Sequence, residues 1–275
     1  PMWANQDWQG SLYPRQAKTD LLSDYAAVFS SVEGNTTFYS GAPKPDIIAA
    51  WARQAPAHFR FCFKLPASVT HDQRLGSLAS AWEFIEALTP LHDRLGPTIV
   101  QLPRDFGPSE LPKLEALLAH WPVQLPCAVE VRHPVFFHKG KEEKALNRLL
   151  ITYGANRVML DVRPVFSTPA EGHAGLAHAQ QEKPKLPLHV LSTAEQPIIR
   201  FIGHIDKTIN TRYFAPWIER LKLWISQGKT PFLFVHTADN RESPEMARHL
   251  YHTLQQHIAL PELEPFVDEK QSQLF

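Results

Sequence analysis

Seven short runs of β-branched and aromatic residues recur along the chain, alternating with amphipathic stretches. They are SSVEGN (30–35), FRFCFKLP (59–66), TIVQLP (98–103), AVEVRH (128–133), RVMLDVR (157–163), PIIRFIGH (197–204) and PFLFVHT (231–237). Helical periodicity covers roughly 17–29, 44–54, 77–93, 109–120, 141–153, 213–227 and 243–258. Start signals stand at Ser109 ahead of Glu110, at Ser243 ahead of Pro244, and at the Pro43/Pro45 pair. Parallel strands need a crossover between them, so this alternation spells repeated βαβ units and a parallel sheet. The spacing predicts an α/β fold, an eight-stranded (β/α)8 TIM barrel whose first strand is truncated or missing ahead of Pro1. An open, doubly wound sheet is the alternative, but no glycine-rich phosphate loop follows any of the runs.

The chain has 275 residues, 44% of them hydrophobic, enough for one barrel domain spanning 1–275. One connection breaks the rhythm. Residues 164–196 are long, rich in proline and histidine, and are expected to form a lid over the C-terminal mouth. The tail, 261–275, is expected to be loosely attached. With 28 basic and 28 acidic side chains, the chain carries no net charge to suit a polyanion, so nucleic acid is not an expected partner. No apolar run of membrane-spanning length or signal peptide is present, so no membrane partner is expected. Cys62 and Cys127 lack metal-type spacing and sit in apolar runs, as free thiols of a cytoplasmic protein would.

Alternate residues of a strand share a face. Ala128, Glu130 and Arg132 therefore oppose Val129 and Val131, and Arg60, Cys62 and Lys64 oppose Phe59, Phe61 and Phe63. Ile198, Arg200, Ile202 and His204 lie together, as do Phe232, Phe234 and His236, and Ser31, Glu33 and Asn35. In RVMLDVR, Met159, Asp161 and Arg163 oppose Val158, Leu160 and Val162. One face suits packing beneath a helix; the other turns polar toward its C-terminal end. In a barrel those polar residues meet at the C-terminal mouth. The mouth is expected to collect Glu33, Asn35, Lys64, Gln101, Glu130, Arg132, Asp161, Arg163, Arg200, His204 and His236. Arg60 and Met159 lie deeper and read as structural, and Arg163 as an anchor for the long loop.

DWQGSLYP (7–14), VEGNTTFY (32–39), FRFCFKLPASVTH (59–71), GPTIVQLPRDF (96–106), AVEVRHPVFF (128–137) and IIRFIGH (198–204) occur in order. Together they resemble the YecE-like family, domain of unknown function 72. The resemblance runs to about residue 258 and implies a TIM barrel whose members begin with a short strand ending in glycine. It implies that Glu33, Asn35, Thr37, Tyr39, Lys64, His71, Gln101, Glu130, Arg132, His133 and Arg200 occupy motif positions. Two features depart from the family pattern. FVHTADN offers His236 and Asn240 where many members carry an asparagine pair, and KPKLPLH (183–189) resembles a subgroup only.

The family supplies no reaction, so chemistry rests on residue types. Lys64, Arg132 and Arg200 suit a phosphate or carboxylate, arginine offering a bidentate fork. Glu33 and Glu130 are the expected acid and base, provided their surroundings push their pKa values apart. Their separation would also decide a glycosidase stereochemistry. His204 and His236 are further proton carriers, and Asn35, Tyr39, His71, Gln101 and Asp161 are expected to contact substrate. The reading is a hydrolase or isomerase/lyase acting on a small anionic or polyhydroxylated substrate, without cofactor or metal. Two alternatives stand beside it. One is a metal-dependent phosphoesterase or nuclease using Glu33, Glu130, Asp161, His204 and His236, though no metal-binding motif occurs. The other is a non-catalytic barrel binding a metabolite or partner, or one closed by a mutually paired polar plug.

Overall fold

The computed structural model describes residues 2–15 and 20–266. All seven expected strands are present: β1 Ser31–Gly34, β2 Arg60–Phe63, β3 Thr98–Gln101, β4 Cys127–Glu130, β5 Asn156–Asp161, β6 Ile198–Ile202 and β7 Phe232–His236. Every pairing is parallel, β1 with β2 and β3 through β7 in chain order. Isolated bridges, Phe61 to Leu95 and Lys64 to Ile99, link the β2 segment to β3 and to the residues leading into it. The larger sheet's outer strand, β7, curls back until Cα atoms of β1 and β7 approach within 8 Å. Among the described residues this is a curled parallel sheet of seven strands, without a hydrogen-bonded ladder closing β7 onto β1.

The helices are α1 Leu21–Val28, α2 Thr36–Ser40, α3 Pro45–Gln54, α4 Ala79–Ala87, α5 Leu111–Ala119, α6 Lys141–Thr152, α7 Ala174–Glu182, α8 Lys207–Ser226 and α9 Ser243–Gln255. They cover the outward strand faces. Phe61 and Phe63 stack on Trp51 of α3, and Trp3 meets Trp51 and Phe61 edge-on. Met159, Ile199 and Phe201 pack beneath Trp217, Leu221 and Leu250 of α8 and α9. Inside the curl, Cys62, Ile99, Ala128, Val158, Ile198, Phe232 and Phe234 form a separate apolar layer drawn from six strands. No helix of the described residues is long and apolar enough to cross a membrane.

Several local expectations need correction. Helix α9 begins at Ser243 as expected, though the Ser243 hydroxyl accepts from Thr237 N at 3.0 Å and does not cap it, and Ser109 lies in a 3-10 turn before α5. Helix α8 starts at Lys207, upstream of the expected 213, because the Asp206 side chain accepts from Thr208 N and caps it there. Within 164–196, residues 174–182 form α7, where His173 supplies the capping acceptor through Nδ1. The tail is held through Phe266, buried against Phe29; residues 267–275 lie outside the described residues.

Candidate functional site

Directly above the interior apolar layer, inward residues from five strands converge on Arg200. Its Nε and Nη2 donate to Glu33 Oε2 and Oε1 at 2.7 and 2.9 Å, and Nη1 donates to Glu130 Oε2 at 2.7 Å. Lys64, just past β2, holds Nζ 3.1 Å from Glu33 Oε1 and donates to Gln101 Oε1 at 3.2 Å. Arg132, two residues past β4, donates from Nε to Glu130 Oε1 at 2.8 Å, with Nη2 at 2.7 Å. His236 ends β7 with Nε2 3.6 Å from Glu33 Oε2 and Nδ1 3.1 Å from Asn240 Oδ1. Glu33, Lys64, Gln101, Glu130, Arg200 and His236 are buried, whereas the Arg132 side chain is 21% exposed.

Local sequence explains this convergence. A Cβ on Gly34 would stand 2.4 Å from Phe63 Cδ1, so only glycine lets β1 lie this close to β2. After Glu130 the chain leaves the sheet. Pro134 opens a 3-10 turn, and His133 Nδ1 accepts from Val135 N at 3.3 Å. That turn holds Arg132 at the edge of the cluster, with His133 as its cap.

Burial alone would raise both carboxyl pKa values, but the surrounding cations outweigh it. Arg200, Lys64 and His236 hold Glu33 well below the ordinary range, and Arg200, Arg132 and Lys64 bring Glu130 down to about 2. The two carboxyls are thus lowered together rather than pushed apart, and the folded state favours the ionised form of both. Arg200 also fills the space between them, where a glycosidase would seat its scissile bond. Lys64 changes most usefully. Burial and the Arg200 charge, opposed by Glu33 and Glu130, lower its ammonium to about 8.

The remaining expected residues separate from this cluster. Asp161 faces outward with Met159, because in β5 the inward side is Val158 and Leu160. Its carboxylate accepts from Trp217 Nε1 at 2.8 Å and from Arg163 Nε and Nη2 at 2.8 and 2.7 Å. His204 braces the loop after β6. Its Nδ1 accepts from Asp206 N at 3.0 Å, and Nε2 lies 2.9 Å from Thr168 Oγ1. His71 sits on a π-helical turn, against Phe38 and bonded to Thr70 at 2.9 Å; burial and then Arg132 lower its pKa. Asn35 and the 83% exposed Tyr39 line an open cleft of about 480 Å³, shared with Asn5, Asp7, Asp239 and Asn240. Glu33, Glu130, Asp161, His204 and His236 therefore do not form one ligand set, and no group of three or more metal-ligating side chains is arranged around a common point among the described residues.

One contributor escaped the sequence reading. Lys183, at the C-terminal end of α7, lies within the field of Arg200, Glu33, Arg132 and Glu130; burial, then Arg200, lowers its pKa. No strand parity reaches a residue in an insert. The only signal was a lysine between helix and proline in the loop already expected to cover the mouth.

The family model for "Protein of unknown function DUF72" matches residues 1–271. UPF0759 protein YecE of Escherichia coli strain K12 is 42% identical over 264 residues, covering 96% of this chain and 93% of that protein. A solved DUF72 family protein of Thermotoga maritima MSB8 superposes with a TM-score of 0.65 at 23% identity, over 92% of this chain and 96% of that one. Another, from Enterococcus faecalis V583, gives 0.63 at 19% identity, over 89% and 90%. The chain belongs to the DUF72 family, a family of unknown function.

Proposed function

We propose that this DUF72 protein is an enzyme that binds a small anionic, hydroxyl-bearing substrate at the C-terminal mouth and moves a proton on it. The single observation that carries this reading is the charge arrangement: three cations, Lys64, Arg132 and Arg200, surround only two carboxylates. Arg200 is spent on both carboxylates, while Arg132 keeps part of its guanidinium in solvent. Arg132 thus has donors to offer a phosphate or carboxylate at the edge of a low-dielectric pocket. Glu33 and Glu130 act as ionised supports that orient the cations. Lys64, near neutrality in its proton affinity, is the acid/base group, which favours isomerase or lyase chemistry. The neighbouring cleft, lined by amides, Asp7, Asp239 and Tyr39, suits the hydroxyl groups.

The finer fold assignment belongs to the same reading: we take the curled sheet as the frame of a (β/α)8 barrel, with function at its C-terminal face. The buried, unpaired Cys62 and Cys127 fit a cytoplasmic setting.

A thermal-shift screen against phosphosugars, organic acids, nucleotides and neutral sugars, each with and without chelator, tests the proposal. An anion at about 100 times its dissociation constant stabilises the fold by about 2.7 kcal/mol. Stabilisation by anions and not by neutral sugars, unaffected by chelator, supports it. A well-folded protein that no anion stabilises contradicts it and favours a charged plug.

A further inference from the structure

The ladder between β4 and β5 stops early. Ala128 pairs with Asn156 and Val129 with Arg157, and no further pair follows. Above that point the wall is made of something else. Glu130 and Val131 on one side and Val158–Leu160 on the other face Pro184 and Leu186–His189, across a gap of only about 10 Å³. That is about the space one water needs, so the segment fits the split closely. The KPKLPLH stretch is thus a piece of barrel wall that is not a strand. Its two prolines cannot donate to a ladder.

The two ends of this segment are held differently. At its far end, His189 Nδ1 meets Glu143 Oε1 at 2.5 Å, and the ring lies 5.8 Å from that of Phe137. Glu143 is itself fixed by Arg157 Nη1 at 2.9 Å and by Lys139 N at 2.7 Å, so the anchor is built on rigid elements. At its near end, Lys183 immediately precedes Pro184, which lines the gap beside Glu130, and it lies within the field of Arg200, Glu33, Arg132 and Glu130.

We propose that residues 183–189 form a strap that lifts out of the β4–β5 split to admit ligand, that His189–Glu143 is its latch, and that Lys183 contacts the bound anion when the strap is seated. The Lys183 part rests on the anion reading above; the strap and latch do not. The wall here is joined by side chains and packing, not by strand pairing, so it can open without unzipping the sheet. When it is seated, a second partly exposed cation joins Arg132 at the edge of the charged cluster.

Two measurements on the full chain decide this. Hydrogen exchange of residues 183–189 is followed in the wild type and in His189→Ala, with inorganic phosphate titrated into the wild type and Lys183→Met. We expect at least tenfold faster exchange confined to the strap in His189→Ala, with an unchanged denaturation midpoint. Equal exchange in both proteins, or loss of protection throughout the chain, overturns the latch. We expect Lys183→Met to weaken phosphate binding about tenfold while leaving exchange elsewhere unaltered. Phosphate binding equally to both proteins removes Lys183 from the site. Absence of phosphate binding in the wild type overturns the role of Lys183 together with the anion reading, while the exchange result still judges the strap. His189→Gln, which keeps a hydrogen-bonding side chain, should recover part of the lost protection; no recovery points to packing on Phe137 as the anchor and overturns the pair as the latch.

Discussion

Arg200 grips Glu33 with two parallel hydrogen bonds, 2.7 and 2.9 Å long, although 167 residues separate them. The pair ties β6 to β1 across the interior of the curl, where no backbone ladder connects the strands. Removing one partner of a buried ion pair leaves an uncompensated charge, at a cost of about 3–5 kcal/mol. Arg200→Met should therefore lower the unfolding free energy by that amount, read as a lower urea midpoint, because Glu33 and Glu130 both lose their main partner. Arg132→Ala should cost far less, since Glu130 retains Arg200 and water reaches the vacated edge. Equal losses in urea unfolding would show that Arg132 is as structural as Arg200.

Acid should expose the same network. Glu33 and Glu130 have depressed carboxyl pKa values in the folded chain, so the unfolded chain binds more protons in acid. Their stabilisation is complete above the ordinary carboxyl value of 4.5 and, for Glu130, is lost as pH falls toward about 2. Unfolding midpoints measured across this window should fall steeply in the wild type and less steeply in Glu130→Gln. Parallel curves would place the acid-labile groups elsewhere.

Lys64 should titrate near pH 8 in the folded protein, within reach of side-chain NMR on labelled lysine. Glu33 and Glu130 support its charged form, so Glu33→Gln should lower the value further. This group gives the same sign of pH slope as the carboxylates, in a more alkaline window. Between about 8 and the ordinary 10.5 the unfolded chain holds the extra proton, so its contribution to stability rises with pH. A Lys64 resonance titrating at its ordinary value would remove it as the proton carrier.

Gly34→Ala offers a steric test. The new Cβ would meet Phe63 at 2.4 Å, and Phe63 is fully packed against Phe61 and Trp51. Overpacking of this kind costs about 1–3 kcal/mol, and it would displace the adjacent Glu33. Calorimetry should show a lower Tm together with weaker ligand binding. Unchanged binding would mean that the position of Glu33 is not critical.

Asp161→Ala separates fold from site. It deprives Trp217 and Arg163 of their acceptor beneath α8, a loss of about 1–3 kcal/mol. Ligand affinity should be unchanged. A drop in affinity at full occupancy of the folded state would return Asp161 to the mouth.

The strands and most of the charged cluster were legible because period two is a strict rule. Glu33, Lys64, Glu130 and Arg200 stand on the same faces as Cys62, Ala128 and Ile198, which line the interior. Parity gives two faces but does not say which is inward. In β5 the polar residue was assigned to the mouth, whereas Asp161 serves a tryptophan on a helix fifty-six positions away. The loops were less readable. His204 and Asn210 brace each other across a connection that no periodicity describes, and α7 hides between glycine- and proline-bearing flanks. Pro184 and Leu186–His189 fill a gap between two strands, which exists only in three dimensions. Residue type suggests what a carboxyl can do, but the cations around Glu33 and Glu130 lower both together.

Isothermal titration of the most stabilising anion from the screen, against the wild type and Arg132→Ala, is the most direct measurement. Loss of a charge-assisted donor pair worth about 1.5–3 kcal/mol should weaken binding roughly ten- to hundredfold, with the urea midpoint nearly unchanged. Equal affinity in the two proteins would contradict an anion site at the mouth and leave the charged cluster with a structural role alone.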